Sequence, residues 1–309
     1  MSTLSQFFGS GEGALLIPCE ALVVGGGGAG GAAQFTAAGG GGGAGGFSEM
    51  GFFAVKGLTY TITVGAGGAT GSGSNSEILL PSGLQVMPPP ATLSSTSPPT
   101  VNPRLLQGGF GGSQNFATEQ AGGDGYGSGG GGSADTTSGI MSGGTSNLST
   151  NNNQTRFYWA NTYEYYRMFC ANGGSGHGNT TVAQRASGGG GGADGAGGNA
   201  SAGVAGSAGT GKTSSITGTV VTYAAGGAGR VCTTSANGAN ASSNTGNGGE
   251  GAVDNGTTPR TGGQGGSGIV IIAYPNSYPV PTTITGSYDE PTRSGWRVYR
   301  FTASGSITF

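Results

Sequence analysis

The octet Gly206-Ser-Ala-Gly-Thr-Gly211-Lys212-Thr213 has the spacing G-x-x-x-x-G-K-[ST], in which a glycine-rich turn wraps phosphates and a lysine neutralises them. That chemistry requires a buried strand before the loop and a helix N-terminus after it. Here a Gly/Ala/Ser tract precedes the octet and a β-branched, Gly-interrupted segment follows. No later apolar strand ends in an Asp placed to hold magnesium. Gly25-x-Gly27-x-x-Gly30 follows the apolar residues 21–24, with Glu49 near the distance of a ribose contact, and so imitates a dinucleotide fingerprint. Residues 39–43, where the helix of that motif would run, are all Gly. Each costs about 1 kcal/mol against Ala in a helix interior. Both patterns are read as products of composition, and no nucleotide or other cofactor is expected.

The remaining reactive residues do not converge. His177 is the only histidine and sits in Gly-Gly-Ser-Gly-His-Gly, with nothing to single out a nucleophile or an orienting acid. The thirteen acidic residues are dispersed, Asp289-Glu290 being the only adjacent pair, so no metal site or paired-carboxylate chemistry is proposed. Cys19, Cys170 and Cys232 are too few and too far apart for a disulfide framework or a zinc site; at most one pair forms. An enzyme is not expected. Charged residues are 8% with net charge −2, which supplies no basic patch for nucleic acid. No run approaches the roughly 18 apolar residues of a membrane span. Residues 1–11 lack a basic n-region and an apolar core, so no signal peptide is expected.

One stretch is dense in side chains suited to contact. Between Phe157 and Phe169 seven of thirteen residues are aromatic: Phe157, Tyr158, Trp159, Tyr163, Tyr165, Tyr166 and Phe169. Tyr and Trp offer large, rigid area with a polar tip, which suits sugars or protein surfaces. Arg156, Glu164 and Arg167 would add polar contacts. The alternative is that these rings plug the end of a glycine bundle or pack between subunits.

Positioning falls to an unusual set of elements. Stepping by threes from Gly188 gives Gly188, Gly191, Asp194, Gly197, Ala200, Gly203, Gly206 and Gly209, six Gly of eight, in a chain with 73 Gly in 309 residues. A period of three fits an extended left-handed helix of three residues per turn without internal hydrogen bonds. Such runs leave every backbone group unpaired unless neighbours approach closely enough to bond laterally, which the missing Cβ permits. The runs at residues 25–31, 39–46 and 129–132 have the same character. Side-chain alternation at 58, 60, 62 and 64 predicts a half-buried strand, and residues 21–24, 77–80, 213–223 and 268–274 are read as further strands. One or two more are expected in 296–309. The fold class is all-β with a polyglycine II bundle, short strands flanking packed Gly-rich helices, and very little α-helix. Residues 1–275 form a glycine-rich domain with a Pro-rich insertion at 81–107 and an Asn/aromatic insertion at 147–172. Residues 276–309 supply a linker and one or more strands.

Ala21-Leu-Val-Val-Gly-Gly-Gly-Gly-Ala-Gly-Gly31, the Leu-Thr-Tyr-Thr-Ile-Thr-Val-Gly-Ala-Gly-Gly ending at Gly68, and Gly268-Ile-Val-Ile-Ile-Ala-Tyr-Pro275 occur in an order that resembles the glycine-rich domain of tail-fibre and related proteins of tailed bacteriophages, over roughly residues 14–275. The resemblance implies a non-enzymatic virion or surface protein, similar to fibre-tip adhesins whose polyglycine II sandwich carries receptor-binding loops. It places the chain in a virion, as a tail fibre or its tip, with residues 156–170 meeting a host surface glycan or outer-membrane protein. The segment from Phe301 to Phe309 is similar to the one that normally opens this domain. Trp296, Val298, Tyr299, Phe301, Ile307 and Phe309 are therefore expected to pair with a sheet edge, of the same chain or of a neighbour. Addition to a neighbour would build a homo-oligomer, a trimer or a helical fibre, alongside other virion proteins. The alternatives are a self-assembling extracellular filament joined by terminal strands, and a capsid decoration protein.

Overall fold

The computed structural model describes residues 15–79, 127–135, 139–146, 155–158, 165–256 and 258–309. The first part of the chain contributes β1 (Leu16–Val24), β2 (Ala37–Ala38), β3 (Phe47–Val55), β4 (Thr59–Thr63) and β5 (Glu77–Leu79). Next come β6 (Ile140–Met141), β7 (Thr155–Tyr158), β8 (Tyr165–Phe169) and β9 (Gly176–His177). Then follow β10 (Lys212–Ser214), β11 (Val221–Tyr223), β12 (Val253–Asp254) and β13 (Ile269–Pro275). The C-terminal segment adds β14 (Thr283–Thr285), β15 (Tyr288–Asp289), β16 (Trp296–Phe301) and β17 (Gly305–Thr308). A single 3₁₀ turn, Val182–Gln184, is the only helical element among the described residues. The all-β class stands.

The main sheet has seven antiparallel strands in the order β15-β16-β13-β1-β3-β8-β7. Its centre is buried on both faces, which is why β13 is a continuous apolar run rather than an alternating one. One face presents Cys19, Ala21, Val23, Val270, Ile272, Tyr299 and Phe301. It packs on a four-stranded sheet, order β14-β17-β4-β5, through Tyr60, Ile62, Ile78, Ile307 and Phe309. The alternation in β4 works as expected: Tyr60 and Ile62 are buried and the Thr residues between them face outward. The buried Tyr60 hydroxyl oxygen accepts a hydrogen bond from the Val55 N–H at 2.9 Å. The opposite face of the main sheet presents Leu22, Val24, Ile271 and Val298 to Ile216, Tyr223 and Ala224 of the β10–β11 region. Residues 213–223 thus form a hairpin rather than one strand, because Gly218 adopts φ 88° and turns the chain back. The Pro-punctuated connection after residue 275, where the sequence predicts a linker, also holds β14 and β15.

Beyond the sheet the strands run into the glycine tracts without losing their neighbours. β1 and β3 pair residue by residue up to Val24 opposite Phe47. After that only every third residue bonds: Gly25, Gly28 and Gly31 donate to the carbonyls of Gly46, Gly43 and Gly40. The same change follows Val24 opposite Ile269, where Gly27 and Gly30 donate to Gly266 and Gly263. Residues 39–46 serve several neighbours at once. Gly39, Gly42 and Gly45 donate to Ala252, Gly249 and Gly246, running antiparallel. Gly41 and Ala44 donate to Gly188 and Gly191, running parallel. A residue repeat of three sends each third peptide to the same neighbour and the others to different ones.

The run 188–209 is folded rather than straight. Its third-residue bonds link Gly206 and Gly209 to Ser187 and Gly190, and Gly197 and Ala200 to Asn172 and Ser175. Between these passes Gly192 N–H closes on the Gly195 carbonyl at 2.8 Å, and Ser201 and Val204 bond each other reciprocally around Gly203, whose φ is 70°. The Asp194 and Gly203 positions of the period-three register are therefore turns. Residues 25–31, 39–46, 129–132 and 188–193 are buried although almost all are glycine, while residues 194–205 are partly or fully exposed.

Candidate functional site

The two nucleotide-like patterns are occupied structurally. Gly206 to Thr210 lie in the bundle and the chain enters strand β10 at Lys212, not a helix. The Lys212 ammonium sits 2.7 Å from Asp194 and 4.6 Å from the centre of the Phe169 ring. In the other pattern, the N–H groups of Gly25, Gly27, Gly28 and Gly30 are already spent on lateral bonds. His177 lies in β9, its backbone exchanging hydrogen bonds with Ala186 at 2.7 and 3.1 Å. Among the described residues no group of three or more His, Cys, Asp or Glu is placed to hold a metal ion. No helix among them is long and apolar enough to cross a membrane.

Cys19, Cys170 and Cys232 are all buried and none forms a disulfide. Burial raises the Cys19 thiol far above its ordinary range. Burial pushes Cys232 up to about 11, eased by Arg185 and reinforced by Asp254. The Arg185 guanidinium is spent on the carbonyls of Asn179, Thr180 and Thr36. The buried Asp254 carboxylate accepts from the Phe35 N–H and the Ser235 hydroxyl, each at 3.0 Å. Phe35 and Thr36 are both left-handed, with φ 51° and 60°. These buried charges hold a strained turn at the far end of the bundle.

The aromatic insertion forms an antiparallel hairpin, β7 with β8, on the edge of the main sheet. Arg156 lies opposite Arg167, Phe157 opposite Tyr166, and Tyr158 opposite Tyr165. Trp159, Tyr163 and Glu164 lie outside the described residues. Phe169, the last residue of β8, belongs to the core and meets Phe47 edge-on at 5.7 Å between ring centres. The register extends inward: Tyr165 is opposite Gly51 and Gly51 opposite Glu20, while Arg167 is opposite Glu49 and Glu49 opposite Leu22. Because cross-strand partners share a face, Glu49 and Leu22 stand on one face of β1 and β3, with Glu20 two residues along from Leu22.

On that face lies a cleft of about 210 Å³ between β1, β3 and the β10–β11 hairpin. Glu20, Glu49, Thr213, Ser214, Ser215 and Arg293 supply its polar wall, and Leu22 and Ile216 are its apolar lining. Arg293 bonds Glu20 at 2.7 Å, and its guanidinium carbon lies over Trp296, 3.9 Å from the ring centre. Sequence reasoning missed this set. Its members come from four separate segments, and only the cross-strand register brings them together.

The residues expected to mediate assembly are all placed inside the chain's own sheets. Trp296, Val298, Tyr299 and Phe301 lie on β16, between β13 and β15; Ile307 lies on β17, between β14 and β4. Val298, Tyr299, Phe301, Ile307 and Phe309 are buried, and Trp296 is half-buried. β17 is paired along both edges, whereas β16 is paired with β13 along its length and with β15 only at Arg300 and Phe301. Phe309 meets Tyr60 and Tyr274 edge-on at 5.5 and 5.4 Å.

No curated protein matches the chain, and no solved structure does. The sequence profile of the glycine-rich domain matches residues 14–275, the span from the start of β1 to the end of β13, and the chain belongs to that family.

Proposed function

We propose that the glycine tracts are polyglycine II helices, and that the chain is a non-enzymatic structural and adhesive protein of a bacteriophage particle, a tail fibre or its tip. The observation that carries this reading is the third-residue hydrogen bonding between tracts running in both directions, which gives the molecule a core of main chain. Such a core is rigid at little cost in side chains, and it leaves the connecting segments free to vary for contact. The aromatic insertion, standing on the edge of the main sheet, is the contact region for a host surface glycan or outer-membrane protein. Other virion proteins and further copies of the chain are its assembly partners.

Gold-labelled antibody raised against the chain tests its place on purified phage particles imaged in negative stain. Label at the fibres or their tips is expected. Unlabelled particles, with the protein recovered only as free filaments, would overturn the virion reading.

A further inference from the structure

The cleft beside the aromatic hairpin has a composition that selects its occupant. At about 210 Å³ it has room for roughly seven waters at about 30 Å³ each, or a ligand of about a dozen heavy atoms. Glu20 and Arg293 are bonded to each other at 2.7 Å, so as a pair they carry no net charge. A carboxylate has about four acceptor positions and a guanidinium five donors, and one mutual contact leaves most of them unused. The bond to Glu20 and the cation–π contact with Trp296 restrain the Arg293 guanidinium from two sides, so less order is lost when its remaining donors are used. Thr213, Ser214 and Ser215 line the same space with groups that both donate and accept.

A ligand that is purely anionic meets Glu20; one that is purely cationic meets Arg293. A neutral molecule with adjacent hydroxyls satisfies acceptors and donors together, and its C–H groups match the edge of Ile216. We propose that this cleft binds one neutral pyranose sugar residue, with adjacent hydroxyls on Glu20 and Arg293. The position supports this, since Glu20 shares a register row with Gly51, Tyr165 and Tyr158 of the proposed contact hairpin. The proposal rests on the adhesive reading for its biological setting, while the binding itself does not depend on it.

The test is ligand-observed NMR on the full chain with glucose, galactose and mannose, and with acetate and methylammonium as charged probes. At least one sugar is expected to bind with a millimolar dissociation constant, and neither charged probe to compete. Glu20→Gln and Arg293→Met should each weaken sugar binding about tenfold, the usual effect of losing a charged hydrogen bond. The double exchange Glu20→Arg with Arg293→Glu keeps an ion pair and the thermal midpoint but moves donors and acceptors, and it should also lose the sugar. Absence of binding at about 100 mM sugar, or equal binding by all variants, overturns the cleft. A host-cell adhesion assay separates the two ideas. Adhesion that persists in variants unable to bind sugar removes the cleft's role and leaves the adhesive reading standing. Sugar binding without any adhesion of the parent protein overturns the adhesive reading and leaves the cleft.

Discussion

A methyl group on Gly190 would lie 2.0 Å from the carbonyl oxygen of Gly42, backbone against backbone. No side chain is available there to move aside, so the two segments themselves must separate. Gly190 N–H also donates to Gly227 O at 2.9 Å, so separation breaks lateral bonds as well. Gly190→Ala is therefore expected to cost ~1–3 kcal/mol or more, the scale of overpacking a core. Gly71 is the contrasting position: nothing stands within 4 Å of an added Cβ, and its φ is not left-handed. Gly71→Ala should be neutral or gain about 0.4–1 kcal/mol by restricting the unfolded chain. Urea denaturation of the two variants checks this. Equal effects would mean that glycine is kept at residue 190 for flexibility and not for close approach.

The strands show where patterning in the sequence is informative. β4 was legible because Tyr60 and Ile62 alternate with Thr, and β13 because six consecutive residues are buried and apolar. The β10–β11 hairpin was not, since its reversal depends on one left-handed glycine, Gly218, within a β-branched run. β14 and β15 were hidden among prolines; β16 follows its partner β15 closely, but β17 reaches β14 only after β15 and β16 have intervened. The C-terminal strands matter more than their place outside the matched domain suggests, because β17 closes the smaller sheet and fills the space between the sheets. Ile307 is fully buried at its centre, opposite Tyr60 on one side and Ile284 on the other. Ile307→Ala should cost ~2–5 kcal/mol. Val220→Ala, at a position 73% exposed, should stay within about 0.5 kcal/mol. If calorimetry finds Ile307→Ala equally mild, β17 is an appendage and not part of the core.

Over the whole molecule, the period of three was legible in the order of glycines, but the partner of each run was not. Glycine carries no side-chain signal to specify a neighbour, and the folding of residues 188–209 into separate passes rests on turns at Gly195 and Gly203. The candidate cleft was illegible for a related reason, since Glu20 and Arg293 are ordinary surface residues until β1, β13 and the C-terminal segment assemble. Assembly also buries neutral groups that would ionise in alkali, which gives the molecule a defined pH limit. Burial is the leading cause of raised values for Cys19, Tyr60, Tyr223, Tyr274 and Tyr299. Cys232 likewise moves from 9.0 to about 11. A group whose folded value lies above its unfolded value contributes full stability below the unfolded value. That contribution is lost as pH rises toward the folded value, because the unfolded chain then binds fewer protons. The urea midpoint should be level up to about pH 8.5 and fall progressively from about pH 9 as thiols and then phenols ionise in the unfolded chain. Cys232→Ala should flatten the part of that fall between the ordinary thiol value of 9.0 and about 11, whatever it does to the midpoint at neutral pH. The native chain at pH 11 should show tyrosinate absorbance from fewer than its eleven tyrosines, with the rest emerging on unfolding. A midpoint unchanged to pH 11, or complete tyrosine ionisation before unfolding, would mean that water reaches the space between the two sheets.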